Sequence, residues 1–126
     1  MLPIIARWSI AKGHRAEALR ALDELVALVE ENEPFVPMYT VNVPNMSPEL
    51  TSFPTPSEHE VVFLSVFDDA AAFKRHMDGV FKQWLDANKQ HFLLNNGNLF
   101  VVSEWLERHA GFIRQAMVTT GSEASS

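Results

Sequence analysis

The chain has 126 residues, of which 47% are hydrophobic and 21% are charged, as expected for one globular domain with a single modest core. Ten basic and sixteen acidic residues give a formal charge of −6, which argues against nucleic acid because phosphate binding needs concentrated Lys and Arg. Cysteine is absent, which excludes disulfides, thiolate metal sites and a cysteine nucleophile.

The N-terminal sequence "MLPIIARW" lacks a charged segment followed by a long apolar core, so it does not predict a signal peptide. No apolar run approaches the ~20 residues that a membrane span needs. No basic stripe on a helix indicates an anionic membrane surface. We therefore expect a cytoplasmic protein with neither a membrane nor a nucleic acid as partner.

The first elements in chain order are a strand and a long helix. Residues 3–10 are short and β-branched and end at the turn "AKGH", which predicts a strand. Residues 14–32 predict an amphipathic helix of about five turns. Its apolar positions recur at helical spacing: Ala16, Leu19, Leu22, Leu25, Val26 and Val29.

A second strand and a long loop follow. Residues 35–43 predict the strand, and Pro37 indicates a sheet edge or a bulge. Residues 44–59 hold four of the seven prolines and show no periodicity. Loops of this length are usually either functional lids or disordered, and the sequence leaves both readings open.

The third strand, residues 60–67, leads into a helix. Asp68 or Asp69 can cap the N-terminus of that helix, where a carboxylate is favourable. Gly79 predicts its C-terminal stop.

The remaining elements complete the domain, which we place at residues 1–117. A helix is predicted at about residues 80–92, a turn at 95–98 and the last strand at 99–107. Residues 109–117 could form a short docking segment, and the polar residues 118–126 predict a disordered tail.

This element order, β-α-β-β-α-β, predicts an α+β, ferredoxin-like fold with a four-stranded antiparallel sheet and helices on one face. Such a sheet normally alternates apolar and polar residues, because its second face meets water. In the third strand, however, both alternating sets are apolar: Val62, Leu64 and Val66 against Val61, Phe63 and Phe67. We therefore predict a homodimer that covers the second face with a second copy of the sheet, giving a dimeric α+β barrel.

Four stretches carry a resemblance to a known family: "ARWSIAKGHRAEALRALDELV", "MYTVNV", "EVVFLSVFDDAAAFKRHMDGVFKQWL" and "LFVVSEWLERHAGFIR". Together they resemble the antibiotic biosynthesis monooxygenase family of dimeric α+β barrel proteins over most of residues 3–115. The resemblance implies a cofactor-free oxygenase acting on an anthrone- or quinol-like substrate, a haem-degrading enzyme, or an isomerase. A family resemblance predicts the fold of this chain more directly than it predicts the reaction.

The sequence departs from that family at its polar anchors. Quinone-forming relatives carry an Asn and a Trp on the third strand and a Tyr on the next helix, at the positions of Phe63, Phe67 and Phe73 here. The strand-one Asn of haem-degrading relatives falls near Ala6, and their Trp falls at Phe67. The resemblance therefore implies an unusually apolar cavity.

His76 is the first candidate for chemistry, because it lies on or beside the apolar stripe of the helix after the third strand. A histidine there could exchange a proton near neutral pH. The residues favour an incidental histidine at the stripe edge, and the family resemblance makes the two readings equal. Asn88 and His91 lie on the same helical face as Phe81 and Trp84, so each needs a partner or a ligand if it is buried. The alternative, which the residues slightly favour, is that both lie toward the helix end and are partly solvated.

We predict catalytic roles for His76, Asn88 and His91 in the oxidation of a small aromatic, phenolic or quinol-like substrate by O2. Isomerisation, cyclisation or dehydration in the same pocket, or a non-catalytic dimer that binds a hydrophobic ligand, are the alternatives. No cofactor is expected; haem would have His76 or His91 as its axial ligand. No metal-ligand spacing occurs among the five histidines. The predicted substrate-binding residues are Phe63, Ser65, Phe67, Phe73, Met77, Phe81, Trp84, Trp8 and Tyr39.

Overall fold

A computed structural model describes residues 1–51 and 53–114, and their strands and helices form the α+β, ferredoxin-like fold that the element order predicts. The main sheet is antiparallel, with four strands in the order β2-β3-β1-β6. The elements are β1 (Leu2–Ser9), α1 (Arg15–Asn32), β2 (Met38–Asn42), β3 (Glu60–Phe67), α2 (Ala70–Asp78), α3 (Val80–Asn88), β4 (Leu94–Asn95), β5 (Asn98–Leu99) and β6 (Val101–Trp105).

Strand β2 lies at one edge of the sheet, as Pro37 indicates, but it begins only at Met38. Residues 35–37 were predicted as part of this strand and lie outside it. They belong to a turn after α1, in which the N–H of Val36 donates to the carbonyl of Glu33 at 3.0 Å. Proline has no N–H for a strand ladder, so pairing starts after it.

The two helices after β3 are separated by Gly79. Asp69 is the N-cap of α2, and its carboxylate accepts from the N–H of Ala72 at 2.8 Å. Gly79 ends α2 with φ −98°, so left-handed backbone is not the reason for glycine here. A Cβ at this position would lie 2.8 Å from the carbonyl oxygen of Arg75, so close packing of the helix end demands glycine.

The predicted helix over residues 80–92 is shorter in the structure. Helix α3 ends at Asn88, a 3-10 turn spans Lys89–His91, and Phe92 is extended and pairs with Ile10. The last strand is also divided. Asn96 (φ 54°) and Gly97 (φ 80°) form a two-residue turn between β4 and β5, as left-handed residues do in tight hairpins.

Strand β6 then pairs with β1 at the other edge of the sheet. Residues 109–114 are exposed and form no helix or strand. This part of the predicted docking segment therefore does not pack against the domain. Residues 115–126, which include the predicted tail at 118–126, lie outside the described residues.

The helices cover one face of the sheet, here called the inner face. Its central side chains and those of α1 form the core; the most deeply buried include Ala18, Leu22, Leu25, Val61 and Phe67. The opposite, outer face has no helix on it in the described residues. Among residues 1–51 and 53–114, no helix is long and apolar enough to cross a bilayer.

Candidate functional site

A cavity of about 290 Å³ lies between the inner face and the two short helices α2 and α3. This volume is at the lower end of the range that small-molecule pockets occupy, roughly 300–1,000 Å³. Met77 and Val101, each more than one-third exposed, stand at its partly open side. The lining is mostly apolar and comprises Ile4, Ala6, Trp8, Tyr39, Phe63, Ser65, Phe67, Phe73, His76, Met77, Phe81, Leu85, Asn98, Leu99, Val101 and Ser103.

Aromatic rings form much of the wall. Phe63 and Phe67 point inward from β3, and Phe73 meets Phe67 edge-on from α2 with the ring centroids 5.3 Å apart. Trp8 on β1 packs against Phe63 at 4.3 Å between centroids. The structure thus brings Phe63, Phe67 and Phe73 together in one wall of the cavity.

His76 is a polar group in this wall and is 2% exposed. Its Nδ1 lies 2.5 Å from Oε1 of Glu33, and its Nε2 lies 3.3 Å from the hydroxyl of Tyr39. Three separate elements supply the three residues: Glu33 ends α1, Tyr39 points inward from the edge strand β2, and His76 lies in the last turn of α2. We call this set the Glu33–His76–Tyr39 relay.

Burial lowers the pKa of His76, and the hydrogen bond and charge of Glu33 oppose that effect without overcoming it. The imidazole is therefore neutral at pH 7. A carboxylate accepts hydrogen bonds, so the ring proton belongs on Nδ1, and Nε2 carries a lone pair that can accept a hydrogen bond or a proton. Burial, and secondarily the charge of Glu33, raises the pKa of Tyr39 far above its ordinary value. Tyr39 thus stays a phenol and donates its O–H toward Nε2.

Sequence reasoning missed Glu33. It follows Glu30 and Glu31 at the end of α1, and these two are exposed whereas Glu33 is 5% exposed. Three acidic residues within four positions resemble a solvated helix end, and no local pattern distinguishes the buried one. The proline after it and the apolar "FV" that follows were the available hint that the chain turns inward at Glu33.

The structure does not bring Asn88, His91 and Trp84 to the cavity, although we predicted them there. Asn88 donates to the carbonyl of Trp84 at 2.9 Å, and Trp84 donates its ring N–H to the carbonyl of Ala21 at 2.7 Å. His91 lies 3.1 Å from His14, Nδ1 to Nδ1. The face of α3 that carries Trp84 and Asn88 packs against α1 and not against the cavity, and the α-helix ends before His91. Residues that share helical spacing therefore do not all belong to one site here.

The other predicted lining residues do meet the cavity, including Ser65, which is 5% exposed. Asn98 and Ser103 add polar groups from the β5 and β6 side that sequence reasoning did not single out. Among the described residues of the loop 44–59, none lines the cavity, and Met46 and Phe53 are exposed.

The donor set does not suit a haem. Nε2 of His76 faces the hydroxyl of Tyr39, its Nδ1 faces Glu33, and His91 lies outside the cavity wall. Over the described residues, no group of three or more His, Asp or Glu side chains is placed to hold a metal ion.

The fold and the cavity define a ferredoxin-like α+β protein with an apolar pocket and a buried acid–base set. The family model for antibiotic biosynthesis monooxygenase matches residues 1–90. The chain belongs to that family. Among curated protein sequences, none is similar enough to count as a match.

Solved structures share the fold. The PA3566 protein of Pseudomonas aeruginosa is 23% identical, with a TM-score of 0.65 over 86% of this chain and 94% of that one. The NE2512 protein of Nitrosomonas europaea is 17% identical, with a TM-score of 0.65 over 90% and 93%. A variant of SnoaB, a cofactor-independent oxygenase from Streptomyces nogalater, is 12% identical, with a TM-score of 0.63 over 90% and 97%.

Proposed function

We propose that the protein is a cofactor-independent monooxygenase that oxidises a small aromatic, phenolic or quinol-like substrate with O2 in the cavity beneath α2 and α3. The observation that carries the proposal is the placement of a neutral histidine, His76, in the wall of an apolar cavity of about 290 Å³. Family membership and the structural likeness to a cofactor-independent oxygenase support it.

The chemistry needs a base and a dry pocket. Nε2 of His76 removes a proton from the substrate, and the resulting electron-rich anion passes an electron to O2. The two radicals combine to a hydroperoxide, which loses water and leaves a new carbonyl; for an anthrone, one O2 is consumed and one quinone and one water form. The aromatic wall excludes bulk water and holds the substrate and O2 in contact.

Glu33 suits this role for His76, because its carboxylate stabilises the imidazolium that forms when Nε2 takes the proton. Ser65, Asn98 and Ser103 are available to hydrogen-bond polar substituents of the substrate.

An oxygen electrode with anthrone or a simple quinol tests the proposal. We expect oxygen uptake with quinone formation, and a loss of about 10²–10⁴-fold in His76→Ala, the usual contribution of a general base. The control is His109→Ala, because His109 is exposed and does not line the cavity. Substrate conversion without oxygen uptake would instead establish an isomerase or dehydratase, and binding without conversion a ligand-binding protein.

We further propose a homodimer through the outer face. That face carries apolar side chains that are at least one-third exposed: Leu64 on β3, Val102 on β6, and Phe100 and Leu106 just outside the two ends of β6. Ile5 of β1 lies between β3 and β6 on the same face. A contiguous apolar surface of this kind is typical of a protein interface. Sedimentation of the chain as a single copy at micromolar concentration would contradict this part of the proposal.

A further inference from the structure

The Glu33–His76–Tyr39 relay places a base and a hydrogen-bond donor side by side. Nε2 of His76 and the hydroxyl of Tyr39 are 3.3 Å apart, and both residues line the cavity. In a ketone, the carbonyl oxygen and the neighbouring carbon are about 2.4 Å apart, from standard bond lengths. One such group can therefore meet both side chains at once, its oxygen at Tyr39 and its C–H at His76.

We propose that this relay is an enolisation centre that acts on an aromatic ketone without needing oxygen. Nε2 of His76 removes the proton from the carbon next to the carbonyl. The C–H electron pair becomes the C=C bond, and the carbonyl π pair moves onto the oxygen, where the Tyr39 hydroxyl donates a hydrogen bond. Return of a proton from His76 restores the ketone, so no oxidant or reductant enters the balance.

Each member of the relay has a distinct role. His76 and Tyr39 are catalytic residues, because they contact the reacting atoms. Glu33 is a positioning residue: it holds the Nδ1 proton and thereby keeps the lone pair of Nε2 directed at Tyr39 and the cavity. Because burial and the charge of Glu33 hold the pKa of Tyr39 high, Tyr39 gives a hydrogen bond to the enolate and retains its own proton.

The contacts around His76 are well defined for this role. Its other ring contacts are Phe67 and Phe81, at 5.2 and 5.4 Å between centroids, and neither carries charge. Arg75, the adjacent residue on α2, stacks on Phe35 with its guanidinium 4.1 Å from the ring centroid. Glu33 and Tyr39 are thus the titratable groups that face His76 among the described residues.

The inference rests on the proposed function in its choice of site, but its test uses no oxygen and a probe with hydrogens next to its carbonyl. 1-Indanone, an aromatic ketone, is incubated with the protein in deuterated buffer under argon, and deuterium at the methylene carbon next to its carbonyl is followed by mass spectrometry. We expect the protein to accelerate this exchange over buffer alone. No acceleration with 1-indanone overturns the inference, even if anthrone drives oxygen uptake. Acceleration with 1-indanone but no oxygen uptake with anthrone or a quinol in air overturns the oxygenase proposal and leaves the enolisation centre standing.

Variants assign the roles. We expect Tyr39→Phe to slow exchange by about 10²-fold, as the loss of one oxyanion donor does elsewhere. An unchanged exchange rate in Tyr39→Phe would contradict its role as donor. His76→Ala should remove the acceleration, and failure to do so would overturn the whole scheme.

Glu33→Gln keeps the shape of the side chain and removes its charge. We expect a loss of about 10–100-fold, as for other orienting partners of histidine, and a shift of the acidic limb of the exchange-rate profile to lower pH, because the charge of Glu33 raises the pKa of His76. Glu31→Gln is the matched control, exposed and two residues away on α1. A rate loss with no shift of the profile would reduce Glu33 to a structural role. Nitrogen NMR of the His76 ring reports its tautomer in Glu33→Gln, and circular dichroism confirms that each variant folds.

Discussion

The two faces of the main sheet are both apolar, yet the structure uses them differently. On the inner face, Phe63, Ser65 and Phe67 of β3 are 5% exposed or less, because helices and the cavity wall cover them. On the outer face, Leu64 between them is 38% exposed, and Val102 on β6 is 53% exposed. Strand β3 is thus apolar on both faces, but a single chain covers only the inner one. Hydrophobic pattern alone therefore does not distinguish a core-facing side of a strand from a side that the same chain leaves exposed.

The inner face also contains polar groups that burial makes chemically useful, whereas the outer face has ordinary surface pairs. Arg7 and Glu60 form an ion pair at 2.9 Å there, with side chains 52% and 30% exposed, and such pairs contribute about 0–1 kcal/mol. His76 and Glu33 are both nearly fully buried on the helix-covered side. Removing one partner of a buried pair has far larger consequences than removing a solvated one.

The largest effect on stability is expected at Phe67, the most deeply buried aromatic residue of the inner face. Phe67→Ala should lower the free energy of unfolding by about 3–5 kcal/mol, because it leaves a cavity where Ile4, Ala72 and Phe73 now pack. Urea denaturation measures the change. Val66→Ala on the outer face is the paired control; an equal loss there would mean that the outer face is as fully packed as the inner one.

The second prediction concerns the outer face. Leu64→Lys should prevent dimerisation, because an unpaired charge buried at an interface costs about 3–5 kcal/mol, equivalent to at least about 10²-fold in the dimer dissociation constant. Analytical ultracentrifugation measures the association. Lys82→Glu, an exposed change on α3, serves as the control and should leave it unaltered. A Leu64→Lys chain that remains dimeric would place the interface elsewhere.

A third prediction separates the cavity from the core behind it. Trp84 donates to the carbonyl of Ala21 and does not line the cavity, so Trp84→Phe should cost about 1–3 kcal/mol of stability through the lost buried hydrogen bond. Thermal melting measures this loss. Binding of anthraquinone, an analogue without exchangeable methylene protons, should be unchanged; a tenfold weaker affinity would mean that Trp84 contributes to the site after all.

The smallest expected effects are the two limbs of the pH–stability profile. Below its ordinary pKa of 6.5, His76 takes a proton more readily in the unfolded chain than in the folded one, so stability falls as pH drops through this range. Above the ordinary pKa of 10.0, Tyr39 loses its proton more readily when unfolded, so stability falls as pH rises. Each limb should have a slope of at most about 1.4 kcal/mol per pH unit.

Tyr39→Phe isolates the alkaline limb. The chain has one tyrosine, so tyrosinate absorbance reports this group directly. The alkaline limb should be shallower in the variant than in the parent chain. A Tyr39 that ionises near pH 10 in the folded protein would show that its hydroxyl is solvated and not held against His76.

Much of the fold followed from local pattern. The period of the apolar residues predicted α1 and β3 within a residue of their bounds, and Asp69 and Gly79 marked the two ends of α2. The predictions failed at element ends, where pattern is weakest: Pro37 delayed the start of β2, and α3 changed to a 3-10 turn before His91.

The candidate site was only partly predictable. The inward alternation of β3 and the spacing on α2 predicted that Phe63, Phe67 and Phe73 would share a wall with His76, and the structure brings them together. Asn88 and His91 fit the same periodicity but lie outside the cavity. Periodicity tells which residues share a helical face, but it does not tell which part of the protein that face packs against or where the helix ends.

The sequence by itself determined which segments are strands and helices and that both sheet faces are apolar, since those properties depend on residue spacing along one chain. Tertiary structure alone decided which acidic residue at the C-terminal end of α1 meets His76. Glu33 and His76 are 43 positions apart, and their contact depends on how the turn after α1 and the end of α2 cross above the sheet. Burial then sets the protonation states of His76 and Tyr39, because desolvation depends on what surrounds a group and not on its neighbours in sequence.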